Sequence, residues 1–268
     1  MPTDLIMLFF LFLTGFTSGL FVSICSGTAA SFMIPILTVF LGKSIHKSIG
    51  TSLFLDSIIG ISAGLFFLRK GKTKLKVVIP IIVTSSIGAV IGSFFTSYAP
   101  ERGLNIYFGV VLILFGISLM YNGYQKNVDF IKSKYSFTFL KKHKFILLLI
   151  SGFIIGILSG LTGFGGAGFI AIGLIFIFDF DLHTAIGTSL IAMFFLAGFG
   201  ALGHIVLDEF FWDAALIAGS GGLIGALTGS FFANKINEDI LGRAIGVIMM
   251  ILGIVIFLRL IFKIILFF

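Results

Sequence analysis

The chain has 268 residues, 58% of them hydrophobic and only 11% charged, with 35 Phe, 34 Gly and a formal net charge of +7. A soluble domain is about 25% charged with Gly near 7%, so composition excludes an ordinary soluble globule and defines a polytopic helical membrane protein. No ten-residue alternating pattern suggests a barrel, the single Cys25 excludes an intrachain disulfide, and the basic excess lies in two short loops rather than in a nucleic-acid footprint.

In chain order, LIMLFFLFLTGF near the N-terminus lacks a basic leader and a cleavage site and reads as a span. It belongs to an odd segment, Asp4–Leu41, interrupted midway by SICSGTAASFMIP (Ser23–Pro35). Three plain spans follow, Ser48–Leu68, Val77–Tyr98 and Leu104–Tyr124. A helix of about 20 residues covers the roughly 30 Å hydrocarbon core. The loop RKGKTKLK (Arg69–Lys76) holds five of the 18 basic residues, and Gln125–Lys144 holds six more. Short Lys/Arg-rich loops stay cytoplasmic, and two spans lie between these, so both fit on one side. The second half repeats the plan: Phe145–Phe178 interrupted by SGLTGFGGAG (Ser159–Gly168), then Ala185–Val206, Ala214–Ala233 and Gly242–Phe262. The organisation read from this is a first membrane repeat over 1–124, a Lys-rich cytoplasmic linker over 125–144 and a second repeat over 145–268.

A shift of 137 residues superimposes the halves without a gap. Gly15, Phe16 and Gly19 fall on Gly152, Phe153 and Gly156; His46 falls on His183; IGTSL (Ile49–Leu53) falls on IGTSL (Ile186–Leu190). IGAVIGSFF (Ile87–Phe95) overlays IGALTGSFF (Ile224–Phe232). The mate of the basic loop is VLDEFFWD (Val206–Asp213), with three acidic residues and no basic one. That contrast predicts opposite orientation of the halves, as in inverted-repeat secondary transporters whose sites lie where the repeats meet. The fold expected is therefore all-α, with two inverted repeats of one broken or re-entrant segment and three transmembrane helices each. Opposite orientation requires each broken segment to contribute an even number of crossings, as a re-entrant hairpin or as two short helices.

The interruptions carry the chemistry. Five glycines in SGLTGFGGAG, and the Ser26–Gly27–Thr28 and Pro35 positions of the first break, mark places where a helix stops or restarts. Backbone freed at membrane depth survives only when buried in protein or lining a wet cavity. A restarting helix points amide N–H groups and the positive end of its dipole at that cavity, which suits an anion. The glycine pairs Gly88–Gly92 and Gly225–Gly229 have association spacing and read as packing. The candidate substrate contacts are Ser26, Gly27, Thr28, Thr162, Gly163, Gly165 and Gly166 from the breaks, with Gly50, Thr51, Ser52, Gly187, Thr188 and Ser189 from the IGTSL pair. The IGTSL hydroxyls serve equally as helix caps or as donors to an oxyanion. No Arg or Lys lies deep in the membrane beside them.

Candidates for proton or ion coupling are Asp56, His46 and His183. A histidine titrates near neutral pH, though one before a helix also serves as an interfacial packing residue. Asp56 lies within a span, where an acid is expensive and points to function; its repeat mate is Met193, so its role is asymmetric. His204 is unrepeated and reads as pore-facing or satisfied as readily as functional. No metal-ligand spacing and no nucleophile motif is present, so no catalytic residue, metal or cofactor is expected.

With the twin glycine-rich breaks, HKSIGTSL and HTAIGTSL, and the IGA-x-x-GSFF copies in view, the sequence resembles the sulfite exporter TauE/SafE family across nearly the whole chain outside the linker. The resemblance implies transport of a small sulfur-containing anion such as sulfite or a sulfonate. It carries over onto Gly160, Gly163, Gly165, Gly166, Gly168, and the Gly50–Ser52 and Gly187–Ser189 stretches. One departure is that Ser26–Ser31 reads SGTAAS, with one glycine ahead of Pro35, while Ile172 stands where a second proline would fall.

The function expected is a secondary transporter for a small anion, working by alternating access. A passive anion channel of the same fold is the alternative, and an integral-membrane metal enzyme built from His46, His183, His204 and Asp56 stands further off. Expected partners are the small-anion substrate and the lipid bilayer of the cell membrane, with no nucleic acid; a homo-oligomer stays open.

Overall fold

The computed structural model describes residues 2–134, 143–233 and 238–265. The described chain is helical throughout: α1 (Pro2–Cys25), α2 (Ala30–Phe40), α3 (Ile45–Arg69), α4 (Leu75–Thr96), α5 (Glu101–Lys134), α6 (Lys144–Thr162), α7 (Ala167–Phe178), α8 (Leu182–Val206), α9 (Trp212–Phe232) and α10 (Glu238–Ile265). Among the described residues seven of these helices are long and apolar enough to cross a membrane. The protein is a multi-pass membrane protein.

Helix boundaries obey the 137-residue shift. α3 begins at Ile45 and α8 at Leu182; α3 ends at Arg69 and α8 at Val206; α2 begins at Ala30 and α7 at Ala167. The punctuation repeats too. Ser44 caps α3 by accepting the Lys47 amide at 3.3 Å, and its mate Asp181 caps α8 by accepting the Thr184 amide at 3.3 Å. The chain takes positive φ at Ser26, Gly42 and Gly71 (52°, 64° and 72°) and again at their mates Gly163, Asp179 and Asp208 (79°, 53° and 55°).

The broken segments resolve into one span-length and one shorter helix each. α1 is followed by α2, whose 11 residues measure about 16 Å, and α6 by α7, whose 12 residues measure about 18 Å. Each shorter helix covers about half the hydrocarbon thickness. Pro35 lacks an amide and stands where α2 passes from α to π geometry over Ile36–Phe40. α5 runs on to Lys134, into the segment read as linker, because its polar tail is rich in helix-forming residues such as Lys and Gln. Residues 135–142 of that segment lie outside the described residues.

The two repeats are woven together rather than set side by side. α1 packs on α9 and its mate α6 packs on α4, the mate of α9. Small residues allow these backbones to touch: a Cβ on Gly15 would overlap the Ala218 carbonyl, and one on Gly156 would overlap the Ser85 carbonyl. In each case the neighbour is the exchanged mate or the residue one turn from it. α3 lies against its own mate α8, and α5 against its own mate α10. Gly60 meets Phe194 and Leu190, whereas Leu53 meets Gly200, so α3 and α8 run antiparallel. Gly116 meets Gly246 while Gly109 meets Phe257, so α5 and α10 do also. Ser57 donates to the carbonyl of its own mate Phe194 at 3.0 Å.

Candidate functional site

Each break crosses to the IGTSL helix of the opposite half. Ser26, at the end of α1, shares a 2.8 Å hydrogen bond with Ser189 on α8. The mates repeat the contact: Ser52 on α3 donates to the Gly163 carbonyl at 3.4 Å. Both serines also donate within their own turn, to Ile49 and Ile186. Gly163 ends α6 in the left-handed region, where glycine carries no Cβ penalty. Ser26 holds the same conformation at a cost of about 1 kcal/mol or more.

Between the breaks lies Asp56, fully buried on α3. Its Oδ1 accepts the Ala29 amide at 2.7 Å and its Oδ2 accepts the Thr28 hydroxyl at 2.7 Å. Ala29 has no side-chain oxygen to cap α2, so Asp56 satisfies an orphan amide there from another helix. Thr28 in turn accepts the amides of Gly165 at 3.1 Å and Ala30 at 3.2 Å. A Cβ at Gly165 would lie 2.5 Å from Asp56 Oδ2 and 2.9 Å from Met193 Sδ. Met193 is the buried apolar mate of Asp56, so α7 has no equivalent carboxylate. α7 starts from Gly166, φ 74°, without a side-chain cap.

A cavity of about 220 Å³ opens beside these breaks. Ser26, Gly27, Thr28, Thr162 and Gly166 line it, with the first turn of α7 at Gly168. Ser31 and Ser159 also line it, and their hydroxyls are buried without a hydrogen-bond partner. Neither serine stood out in the sequence, although Ser159 opens the SGLTGFGGAG motif. Among the described residues no Lys, Arg, His, Asp or Glu lines this cavity.

The remaining candidates lie elsewhere. Thr51 accepts the Phe211 amide at 3.1 Å and its mate Thr188 accepts the Lys74 amide at 3.1 Å, so both tie a loop of the opposite half to a helix start. Gly50 and Gly187 make room for those loops: a Cβ on either would overlap the Glu209 or the Lys72 carbonyl. His46 bonds the Ala99 carbonyl at 2.9 Å and lies 3.7 Å from Glu101. His183 is half-buried in the first turn of α8.

His204 is fully buried near the end of α8. Its Nδ1 lies 2.9 Å from Glu209 Oε2 and its Nε2 lies 2.9 Å from the Gly160 carbonyl, in the last turn of α6. Burial pushes the Glu209 carboxyl up, but the hydrogen bonds from His204 and Ser97 outweigh it and hold Glu209 below the ordinary carboxylate range. With an ionised carboxylate on one side and a carbonyl on the other, both ring nitrogens face acceptors. Thr96 donates to the Gly160 and Leu161 carbonyls as well, at 3.2 and 3.1 Å, so this end of α6 is tied to α4, α8 and the α8–α9 loop. At the opposite loop Lys72 pairs with Asp181 at 3.3 Å. Burial raises the Asp181 carboxyl, but hydrogen bonds from Thr184 and Lys72 outweigh it and hold it below its ordinary value.

Paired broken helices, meeting in a polar seam inside an otherwise apolar bundle, define a membrane transporter. The model of the sulfite exporter TauE/SafE family matches residues 11–256, and the chain belongs to that family. It is 26% identical over 238 residues to "Probable membrane transporter protein YdhB" of Bacillus subtilis, covering 86% of this chain and 92% of that one. "Probable membrane transporter protein YunE" of the same organism is 23% identical, with 83% and 84% covered. "Probable membrane transporter protein MJ0441" of Methanocaldococcus jannaschii is 34% identical over 107 residues, 38% of this chain and 40% of that one. No solved structure matches.

Proposed function

We propose that the protein is a secondary transporter of the cell membrane that moves a small sulfur-containing anion, sulfite or a sulfonate, by alternating access of two inverted halves. The observation that carries this reading is the cavity between the breaks. There the uncapped start of α7 and the unpartnered hydroxyls of Ser31 and Ser159 offer N–H and O–H donors to one shared space. An oxyanion needs such donors, and a helix N-terminus adds a favourable dipole.

The antiparallel pairing of α3 with α8 and of α5 with α10 supports opposite orientation of the repeats across the membrane. It also supports a cytoplasmic position for the basic loop 69–76 and the Lys-rich segment 125–144, with the acidic loop 206–213 outside. The cross-half contacts Ser26–Ser189 and Ser52–Gly163 occupy equivalent positions but differ in chemistry, hydroxyl to hydroxyl at 2.8 Å against hydroxyl to carbonyl at 3.4 Å. Rocking one half against the other lengthens one contact and shortens its mate, which exposes the cavity to alternate sides. Asp56, held by both breaks, is the group placed to couple that motion to a proton or cation, with His46 and His183 at the helix starts as further candidates.

The test is sulfite uptake by proteoliposomes with and without an imposed pH gradient, with sulfate and chloride as competitors. Accumulation against the sulfite gradient, driven by the pH gradient, is the expected result. Uptake that only equilibrates sulfite would identify a passive channel. No uptake of sulfite, methanesulfonate or butanesulfonate above protein-free liposomes by folded, inserted protein would sink the reading.

A further inference from the structure

We infer that the cavity is built for an anion carrying an apolar body of several carbon atoms rather than for a bare inorganic oxyanion. The inference rests on the small-anion reading above and concerns the same space. The first argument is size. A single water needs about 10–15 Å³ of such volume, and the cavity offers about 220 Å³. On that scale it holds on the order of ten non-hydrogen atoms or more, whereas an oxyanion such as sulfite supplies four. A small ion loose in this space would leave most of the wall without contact.

The second argument is the wall. Along α6 the lining passes from Thr162 and Ser159 back to Leu158 and Ile155, and along α7 from Gly166 and Gly168 on to Phe169 and Ile172. The hydroxyls and the α7 amides therefore gather at the breaks, and the lining turns aliphatic and aromatic away from them. Val111 and Phe115 of α5 face that apolar end. A head group at the breaks and a hydrocarbon body beyond them would satisfy both ends, as most ligand pockets do with a few polar groups on an apolar wall.

The third argument is access. Phe115 and Phe169, which flank the apolar end, are each 48% exposed on the outer surface of the bundle. The cavity thus borders the face turned to lipid, which solvates a hydrocarbon body but not a bare ion.

The test is calorimetric titration of the full chain in lipid nanodiscs with sulfite, methanesulfonate, butanesulfonate, hexanesulfonate and hexanol, with empty nanodiscs subtracted. Affinity among the sulfonates is expected to rise about two- to fourfold per methylene, with hexanol at least about tenfold weaker than hexanesulfonate. Phe169→Ala, a half-exposed position, is expected to flatten that rise. Val111→Phe, which narrows the apolar end, is expected to weaken hexanesulfonate about tenfold and butanesulfonate less. A flat series in which methanesulfonate or sulfite binds as tightly as hexanesulfonate overturns this inference and leaves the small-anion reading standing. Hexanol as tight as hexanesulfonate, or no binding by any of the five, overturns the anion reading and this inference with it.

Discussion

Thr28 and Gly165 are repeat mates that hydrogen-bond to each other: the Gly165 amide donates to Thr28 Oγ1 at 3.1 Å across 137 residues of sequence. The two breaks therefore meet at one place in the fold. Asp56 receives the Thr28 hydroxyl at that meeting point, and its repeat mate Met193 approaches the same Gly165. The centre of the protein is therefore asymmetric in charge, and also in backbone, since Ala29 is right-handed where its mate Gly166 takes φ 74°.

Asp56 has two separable roles, as an acceptor for α2 and as an ionisable group. Asp56→Ala removes the acceptor for both the Thr28 hydroxyl and the Ala29 amide and is expected to cost about 2–5 kcal/mol of stability. Asp56→Asn keeps one acceptor oxygen and is expected to cost roughly half as much, while abolishing stimulation by a pH gradient. Melting in detergent and gradient-driven uptake separate the two. Undiminished gradient stimulation in folded Asp56→Asn protein would leave this residue as a cap for α2 and nothing more.

Gly165 and Gly173 make a matched pair on the same broken segment. A methyl at Gly165 meets Asp56 and Met193 within 3 Å, both fully buried, whereas one at Gly173 meets nothing within 4 Å. Gly165→Ala is expected to destabilise by about 1–3 kcal/mol through overpacking and to depress uptake. Gly173→Ala is expected to stabilise by about 0.5–1 kcal/mol, the ordinary gain of replacing glycine within a helix. Equal effects on melting temperature would mean that the approach of Gly165 to Asp56 does not constrain the site.

The repeat was legible because duplicated sequence keeps its punctuation. The turns at Gly42 and Gly71 reappear at Asp179 and Asp208, and the caps at Ser44 and Asp181 are good N-cap types. The breaks were legible for the same reason, as glycine clusters where a helix would otherwise continue. The exchange of partners was not, because α1 packs on α9 rather than on its own neighbours, and nothing local in either helix encodes that choice. Ser31 and Ser159 were hidden by ordinariness: buried serines usually bond back to the preceding turn, as Ser18 and Ser23 do. Only coordinates show that these two do not. Glu209 as the partner of His204 was equally out of reach, since the pair forms across a loop whose path depends on the Thr51–Phe211 bond.

Thr51 and Thr188 test whether the IGTSL hydroxyls all do the same work. Each accepts a loop amide from the other half at 3.1 Å and neither lines the cavity. Thr51→Val and Thr188→Val are each expected to cost about 1 kcal/mol, additively in the double variant because they share no partner. The half-saturating substrate concentration is expected to stay unchanged. Ser189→Ala, which breaks the contact with Ser26, is expected to lower the transport rate instead. A rise in half-saturating concentration in the threonine variants would move them into the substrate path.

His204 and Glu209 predict an acid-sensitive closure at the end of α6. The folded Glu209 carboxyl titrates below its ordinary value of 4.5, because the bonds from His204 and Ser97 outweigh its burial. A depressed carboxylate contributes stability above its unfolded value and loses it as pH falls through the folded one. Wild-type protein is therefore expected to melt above Glu209→Gln at neutral pH, with the gap closing progressively below about pH 4.5. His204→Ala leaves Glu209 and the Gly160 carbonyl without their shared donor and is expected to cost about 3 kcal/mol. Melting curves of the three proteins between pH 3 and pH 7 check both statements. A gap that is constant across that range would show that Glu209 does not bind its partner as a carboxylate.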